Sequence, residues 1–163
     1  MTSGSGRGRT RWWQRLFGRA APEPLDPTRT DLVVVASCFD DVEACSTTLE
    51  RAAHTDPLWS ADDDVVLRHH LLLPADQIAD AVSVAAQDGY SEATAGPMAQ
   101  TPGHLPGGVS DATVLVLQRV QVLDALHCSQ ERSRMAGLAQ RRDGVVLGWD
   151  ALQPAAEDAS PEH

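Results

Sequence analysis

Residues 65–90 constrain this chain more than any other stretch. Val65 to Leu73 are β-branched or leucine in character around a polar centre, and Pro74 ends them. That pattern predicts a strand closed by a residue that cannot donate to a ladder. Ile78, Ala81, Val82 and Ala85 then fall at i, i+3, i+4 and i+7, which places them on one helical face. Asp76 and Asp80 stand near the start of that helix, where carboxylates meet exposed N–H groups. Gly89 offers a left-handed stop, and Tyr90 begins a return strand. A strand-helix-strand unit of this size cannot bury both of its faces alone, so a second unit is expected.

The second unit follows a Pro- and Gly-rich loop over residues 92–111. Thr113 to Val122 reads as a long central strand. Asp124 is an N-cap for a helix running to about Arg142. Its apolar positions include Leu126, Met135, Leu138 and Ala139, and Gln130, Glu131, Arg132, Arg134 and Arg141 give it a wet face. Gly144 is read as its stop, and Val145 to Leu152 as the final strand. Residues 65–95 and 113–152 thus share one order, a βαββαβ pseudo-repeat. It predicts an α+β, ferredoxin-like sandwich with two helices on one face of a four-stranded antiparallel sheet. Leu32 to Ala36 adds an edge strand. A helix over Val42 to His54, capped by Asp40 or Asp41, covers part of the open face in this reading, with one longer helix as the alternative. The expected divisions are a disordered basic-aromatic tail (1–30), a strand-helix extension (31–60), the main domain (61–153) and an acidic disordered tail (154–163).

Charge is unevenly placed. Residues 1–22 hold five arginines and no acid, whereas the remainder holds eight arginines against 23 acids. An acidic body disfavours direct nucleic-acid binding and suits a basic protein partner. The chain has no lysine and is rich in Ala, Arg, Val and Asp, as in high-GC bacterial coding. Cys38, Cys45 and Cys128 form no C-x-x-C pair and are odd in number, which predicts no disulfide framework and a cytoplasmic setting. No apolar run reaches membrane-spanning length, and no secretory signal is expected. Trp12, Trp13, Arg15 and Phe17 form a short basic-aromatic patch. Residues 11–19 could touch a membrane surface or dock a protein, although one turn of anchor binds weakly.

Few residues recommend themselves for chemistry. His69 and His70 are adjacent on a strand, so they point to opposite faces and cannot chelate one metal together. One is expected under the helices and the other on the open face, where it would make binding pH-dependent. His127 and Cys128 are adjacent on a helix, about 100° apart, a poor base-nucleophile pair. Asp62, Asp63 and Asp64 fan outward as a solvated loop rather than a cation site. The Gly-Ser run over residues 3–8 follows no strand, so it is no phosphate loop. No catalytic set, metal site or cofactor is expected.

Four short motifs, taken together, carry a resemblance: His69-His70 on the first long strand, Gly89-Tyr90 at the helix end, Leu138-Ala139 on the last helix and Gly148-Trp149 on the last strand. In this order they resemble the RraB family, regulators of ribonuclease E activity. The resemblance covers residues 65–152. The family has Tyr-Asp before its Gly-Trp, where this chain has Val146 and Leu147, and the first 60 residues have no counterpart. The resemblance implies a noncatalytic protein that binds an endoribonuclease and modulates its cleavage. Partner contact would involve His69, His70, Tyr90, Trp149 and Asp150. The rival readings are a small-molecule-binding or enzymatic ferredoxin-like domain and a membrane-surface accessory protein.

Overall fold

A computed structural model describes residues 23–94 and 105–156. The patch of Trp12, Trp13, Arg15 and Phe17 and the acidic tail from residue 157 lie outside them. In chain order the elements are β1 (Leu32–Cys38), α1 (Cys45–Ala52), β2 (Asp64–Pro74), a 3₁₀ turn (Ala75–Gln77), α2 (Ile78–Ala86), β3 (Ser91–Glu92), β4 (Ala112–Val122), α3 (Ala125–Gln140) and β5 (Val145–Pro154). The class is α+β. One antiparallel five-stranded sheet carries the order β1-β5-β2-β4-β3.

β2 organises the sheet, because Val65 to Leu73 are buried on both faces. Alternate side chains take opposite sides. Val65 and Leu67 pack with Leu49 of α1, Cys128 of α3 and Trp149. Leu71 and Leu73 pack with Ala81 and Ala85 of α2 and with Met135 and Leu138 of α3. On the other side Val66 meets Leu32 and Leu152. All three helices of the described residues therefore cover one face. The expectation that the first helix would shelter the opposite face is corrected. Its buried residues Cys45, Leu49 and Ala52 join the cluster of Val65 and Leu67, so its apolar stripe finds more apolar partners there.

Local signals operate at the element ends. Asp124 Oδ1 accepts the His127 N–H at 2.7 Å and starts α3. Gly89 takes φ +83, and Tyr90 N–H bonds back to Ala85 O at 3.1 Å, closing α2. The expected stop at Gly144 works differently. The left-handed residue is Asp143, at φ 59. Gly144 is needed for contact instead, since a Cβ there would lie 2.5 Å from Leu72 O. The return strand after Tyr90 is short, pairing only Ser91 with Gln118 and Glu92 with Leu117.

Candidate functional site

The register sets Arg68 opposite Asp150, His69 opposite Trp149 and His70 opposite Gly148 at the middle of the sheet. Polar side chains meet there on both sides. His69 and Trp149 face the helices, while Arg68, His70 and Asp150 face the other way, by strand alternation.

On the helix side, the chain leaving α2 brings Tyr90 over His69. Tyr90 Oη donates to Glu131 Oε2 of α3 at 2.8 Å and lies 3.4 Å from His69 Nε2. Arg119 of β4 donates to Glu131 Oε1 at 3.0 Å, and its guanidinium stands 4.7 Å from the Tyr90 ring centroid. Arg134 closes the group, 3.2 Å from Glu131 Oε2 and 3.1 Å from Asp88 Oδ2. Burial pushes the Glu131 carboxyl up, but the Tyr90 hydroxyl and Arg119 outweigh it and hold the group below the usual carboxylate range. Burial, reinforced by the Glu131 carboxylate, raises Tyr90 well above the ordinary phenol value. Burial pushes His69 down to about 3, so the ring is neutral.

On the other side, Arg68 grips Asp150 through two bonds, Nε to Oδ1 at 2.8 Å and Nη2 to Oδ2 at 2.6 Å. His70 Nε2 lies 3.2 Å from Asp150 Oδ1. Burial raises the Asp150 carboxyl, and Arg68 and then His70 reverse this, leaving it below its ordinary value. The Phe39 ring sits 5.3 Å from the His70 ring.

A cleft of about 410 Å³ opens beside this centre, between α3 and the first half of β5. Its lining includes Asp41, His69, Arg132, Ala136, Val146 and Trp149. His69 Nδ1 and Trp149 Nε1 are both buried and have no hydrogen-bond partner. Arg132 spans toward α1, donating to Glu43 O at 2.6 Å and Asp40 O at 2.7 Å. Among the described residues, β1 pairs with β5 only from Trp149 onward, so the outer edge of Val145–Gly148 carries no strand.

The structure divides the expected partner-contact residues by the sheet. His69, Tyr90 and Trp149 share the helix side, and His70 and Asp150 lie across it. All five are buried, at 3% exposure or less. The expectation that one histidine of the pair stands on an open face is corrected: His69 and His70 are both fully enclosed, and none of the five presents a contact surface by itself. Glu131, read as part of a wet helix face, is buried as well. Arg68, Arg119 and Glu131 were missed as site residues. An available signal was the presence of opposite charges, Arg68 and Asp150, within two otherwise apolar predicted strands. A charge on such a strand needs a buried counter-charge.

Cys38, Cys45 and Cys128 are free and buried. Burial and the neighbouring Cys45 push the Cys128 thiol far above its ordinary value. Among the described residues, no cluster of His, Cys, Asp or Glu has the makings of a metal site, and no helix is long and apolar enough to cross a membrane. No family model, curated protein or solved structure matches this chain.

Proposed function

We propose that the domain is a noncatalytic regulatory module that acts by binding another protein. The observation that carries this reading is the state of the buried polar groups. His69 is held near 3, Tyr90 is driven up, and Glu131 and Asp150 are driven down. General acid-base work at neutral pH needs a group poised near that pH; burial holds His69 away from it, and Tyr90, Glu131 and Asp150 are spent on joining elements to one another. The strand order β5-β2-β4-β3, with α2 and α3 as crossovers, supports a ferredoxin-like core extended by β1 and α1.

The partner is a basic protein, steered by the acidic surface. The likeness of His69-His70, Gly89-Tyr90, Leu138-Ala139 and Gly148-Trp149 to the RraB pattern makes it an endoribonuclease of the ribonuclease E type. The buried motif residues then serve to hold the docking surface in shape. The test is direct titration of the full chain with a purified ribonuclease E, at low and high salt, with RNA cleavage followed in parallel. Binding that weakens with salt and changes cleavage supports the reading. Absence of binding at low salt, with the fold intact, overturns it.

A further inference from the structure

We propose that the face of β4 turned away from the helices is a docking surface for the chain's own basic-aromatic segment, residues 11–19. The inference goes beyond the regulator reading and does not rest on it.

The strand register defines the surface. Directly opposed residues on neighbouring strands share a face. Val66, Arg68, His70 and Leu72 of β2 stand opposite Val120, Gln118, Val116 and Val114 of β4. Val66 packs with Leu32 and Leu152, away from the helices. Val114, Val116, Gln118, Val120 and Val122 therefore form one stripe on that side. There β2 is buried, but β4 is not. Val114 is 42% exposed and Val122 51%, and Val116 and Val120 are half-buried. A sheet face that meets water normally carries polar residues at alternate positions. Four valines in one row make a contiguous apolar patch, which is the mark of a contact surface, whereas apolar residues scattered singly are not.

The start of the described chain selects the occupant. Leu25 packs against the same cluster of Leu32, Val66 and Leu152 that Val120 joins. Its N–H donates to Asp64 Oδ2 at 3.3 Å, and Asp64 stands opposite Val122. The chain thus enters at one end of the stripe. Phe17 precedes Leu25 by eight residues, which span up to about 26 Å when extended. Val114 and Val122 are also eight residues apart, about 26 Å of strand. Trp12, Trp13, Leu16 and Phe17 can therefore reach the whole row of valines. Aromatic rings are well suited to cover it, since each buries a large apolar area.

Charge favours the same occupant over a second copy. Asp62, Asp63 and Asp64 lie at the Val122 end. Asp111 lies just before β4 at the other end, bonded through its carbonyl to the Ala75 N–H at 3.0 Å, next to Asp76. The segment carries Arg11, Arg15 and Arg19 around its aromatic residues, with Arg7 and Arg9 before them and no acid through residue 22. It can place cations at both acidic ends while its rings lie on the valines. Two domains meeting face to face would instead bring together bodies that each hold 23 acids against eight arginines.

The test is NMR of the full chain with ¹³C-labelled valine methyls. The expected result is a set of NOE contacts from the rings of Trp12, Trp13 and Phe17 to the methyls of Val114, Val116, Val120 and Val122, with none to Val84 on the helix side. The triple variant Trp12→Ser, Trp13→Ser, Phe17→Ser is expected to shift those four valines more than any methyl of α2, as the ring currents vanish, while the rest of the spectrum stays native. Mixing labelled with unlabelled chains separates contacts within one chain from contacts between two. Absence of the NOE contacts, a triple variant whose four valines keep their shifts, or contacts found only between labelled and unlabelled chains overturns the proposal.

Discussion

Tyr90 Oη donates to Glu131 Oε2 at 2.8 Å, so the turn after α2 is bonded to the middle of α3 directly above His69. Removing this hydroxyl takes away one polar link between the α2 turn and α3, and leaves the Arg134–Asp88 pair in place. Tyr90→Phe keeps the ring under Arg119 and is expected to cost about 1.5–3 kcal/mol, the range for a hydrogen bond to a charged group. Urea unfolding followed by tryptophan fluorescence checks this. An unchanged midpoint would show that the bond contributes nothing.

Arg68 and Asp150 are expected to behave as a unit. Their two bonds cross from β2 to β5 with both side chains buried. Asp150→Ala removes the buried carboxylate that Arg68 bonds twice and is expected to cost about 3–5 kcal/mol, which is much of a small domain's stability. The double variant Arg68→Met with Asp150→Leu is expected to recover most of that loss, since it removes the charge as well as its partner. Thermal melts of the single and double variants decide the point, and equal melting temperatures would refute the coupling.

Stability is expected to fall with acid earlier than carboxylates alone would cause. His69 stays neutral in the folded chain until about pH 3, whereas an unfolded imidazole protonates near about 6.5. Between those values the unfolded state binds one more proton, so stability drops as pH falls, by roughly 1.4 kcal/mol per pH unit. Asp150 and Glu131 act lower down. Their folded values are depressed, so their contribution is present above about pH 4 and is lost as pH falls through the folded values. His69→Gln should flatten the limb between pH 6.5 and 4.5 by about one proton. Urea midpoints across that range measure the slope, and parallel slopes in the two chains would rule out the assignment.

Two glycines in loops or strands should respond oppositely to the same methyl group. At Gly148 a Cβ would fall 2.5 Å from Cys38 O and against the Phe39 ring. At Gly107 it would meet nothing within 4 Å. Gly148→Ala is expected to destabilise by about 1–3 kcal/mol, as overpacking does, and Gly107→Ala to be close to neutral. Calorimetry of both variants tests the contrast.

The three thiols should be silent in the folded chain. Cys38, Cys45 and Cys128 are buried, and burial together with Cys45 keeps the Cys128 thiol protonated, while reaction needs the thiolate. Ellman's reagent is expected to label none of them in buffer and all three in denaturant. Rapid labelling of the native protein would contradict the packing of α1 against α3.

Local chemistry made much of the fold legible. Pro74, Gly89 and Asp124 mark element ends through properties of single residues, namely a missing N–H, a permitted positive φ and a side-chain acceptor. The spacing of Ile78, Ala81, Val82 and Ala85 marks the inner face of α2 because helical geometry repeats whatever surrounds it. The long apolar run of β2 marks a strand for the same kind of reason, whereas one of its faces was expected to be open. The adjacency of His69 and His70 was enough to place them on opposite faces, since strand alternation is local.

What surrounds those faces was decided by packing over long sequence separations. Which side α1 covers depends on Cys45 and Leu49 meeting Val65, Leu67 and Cys128, and no periodicity within α1 contains that choice. Gly144 looks like a helix stop in the chain and proves to be a point of approach to Leu72. Glu131 looks solvated beside Arg132 and Arg134, and it is buried because Tyr90 and Arg119 arrive from two other elements to satisfy it. The sequence determined the elements, their ends and the alternation of their side chains, all of which follow from neighbours a few residues apart. Only the tertiary structure decided the burial of the charged and imidazole groups, because a polar side chain can leave water only where distant partners replace the bonds it gives up.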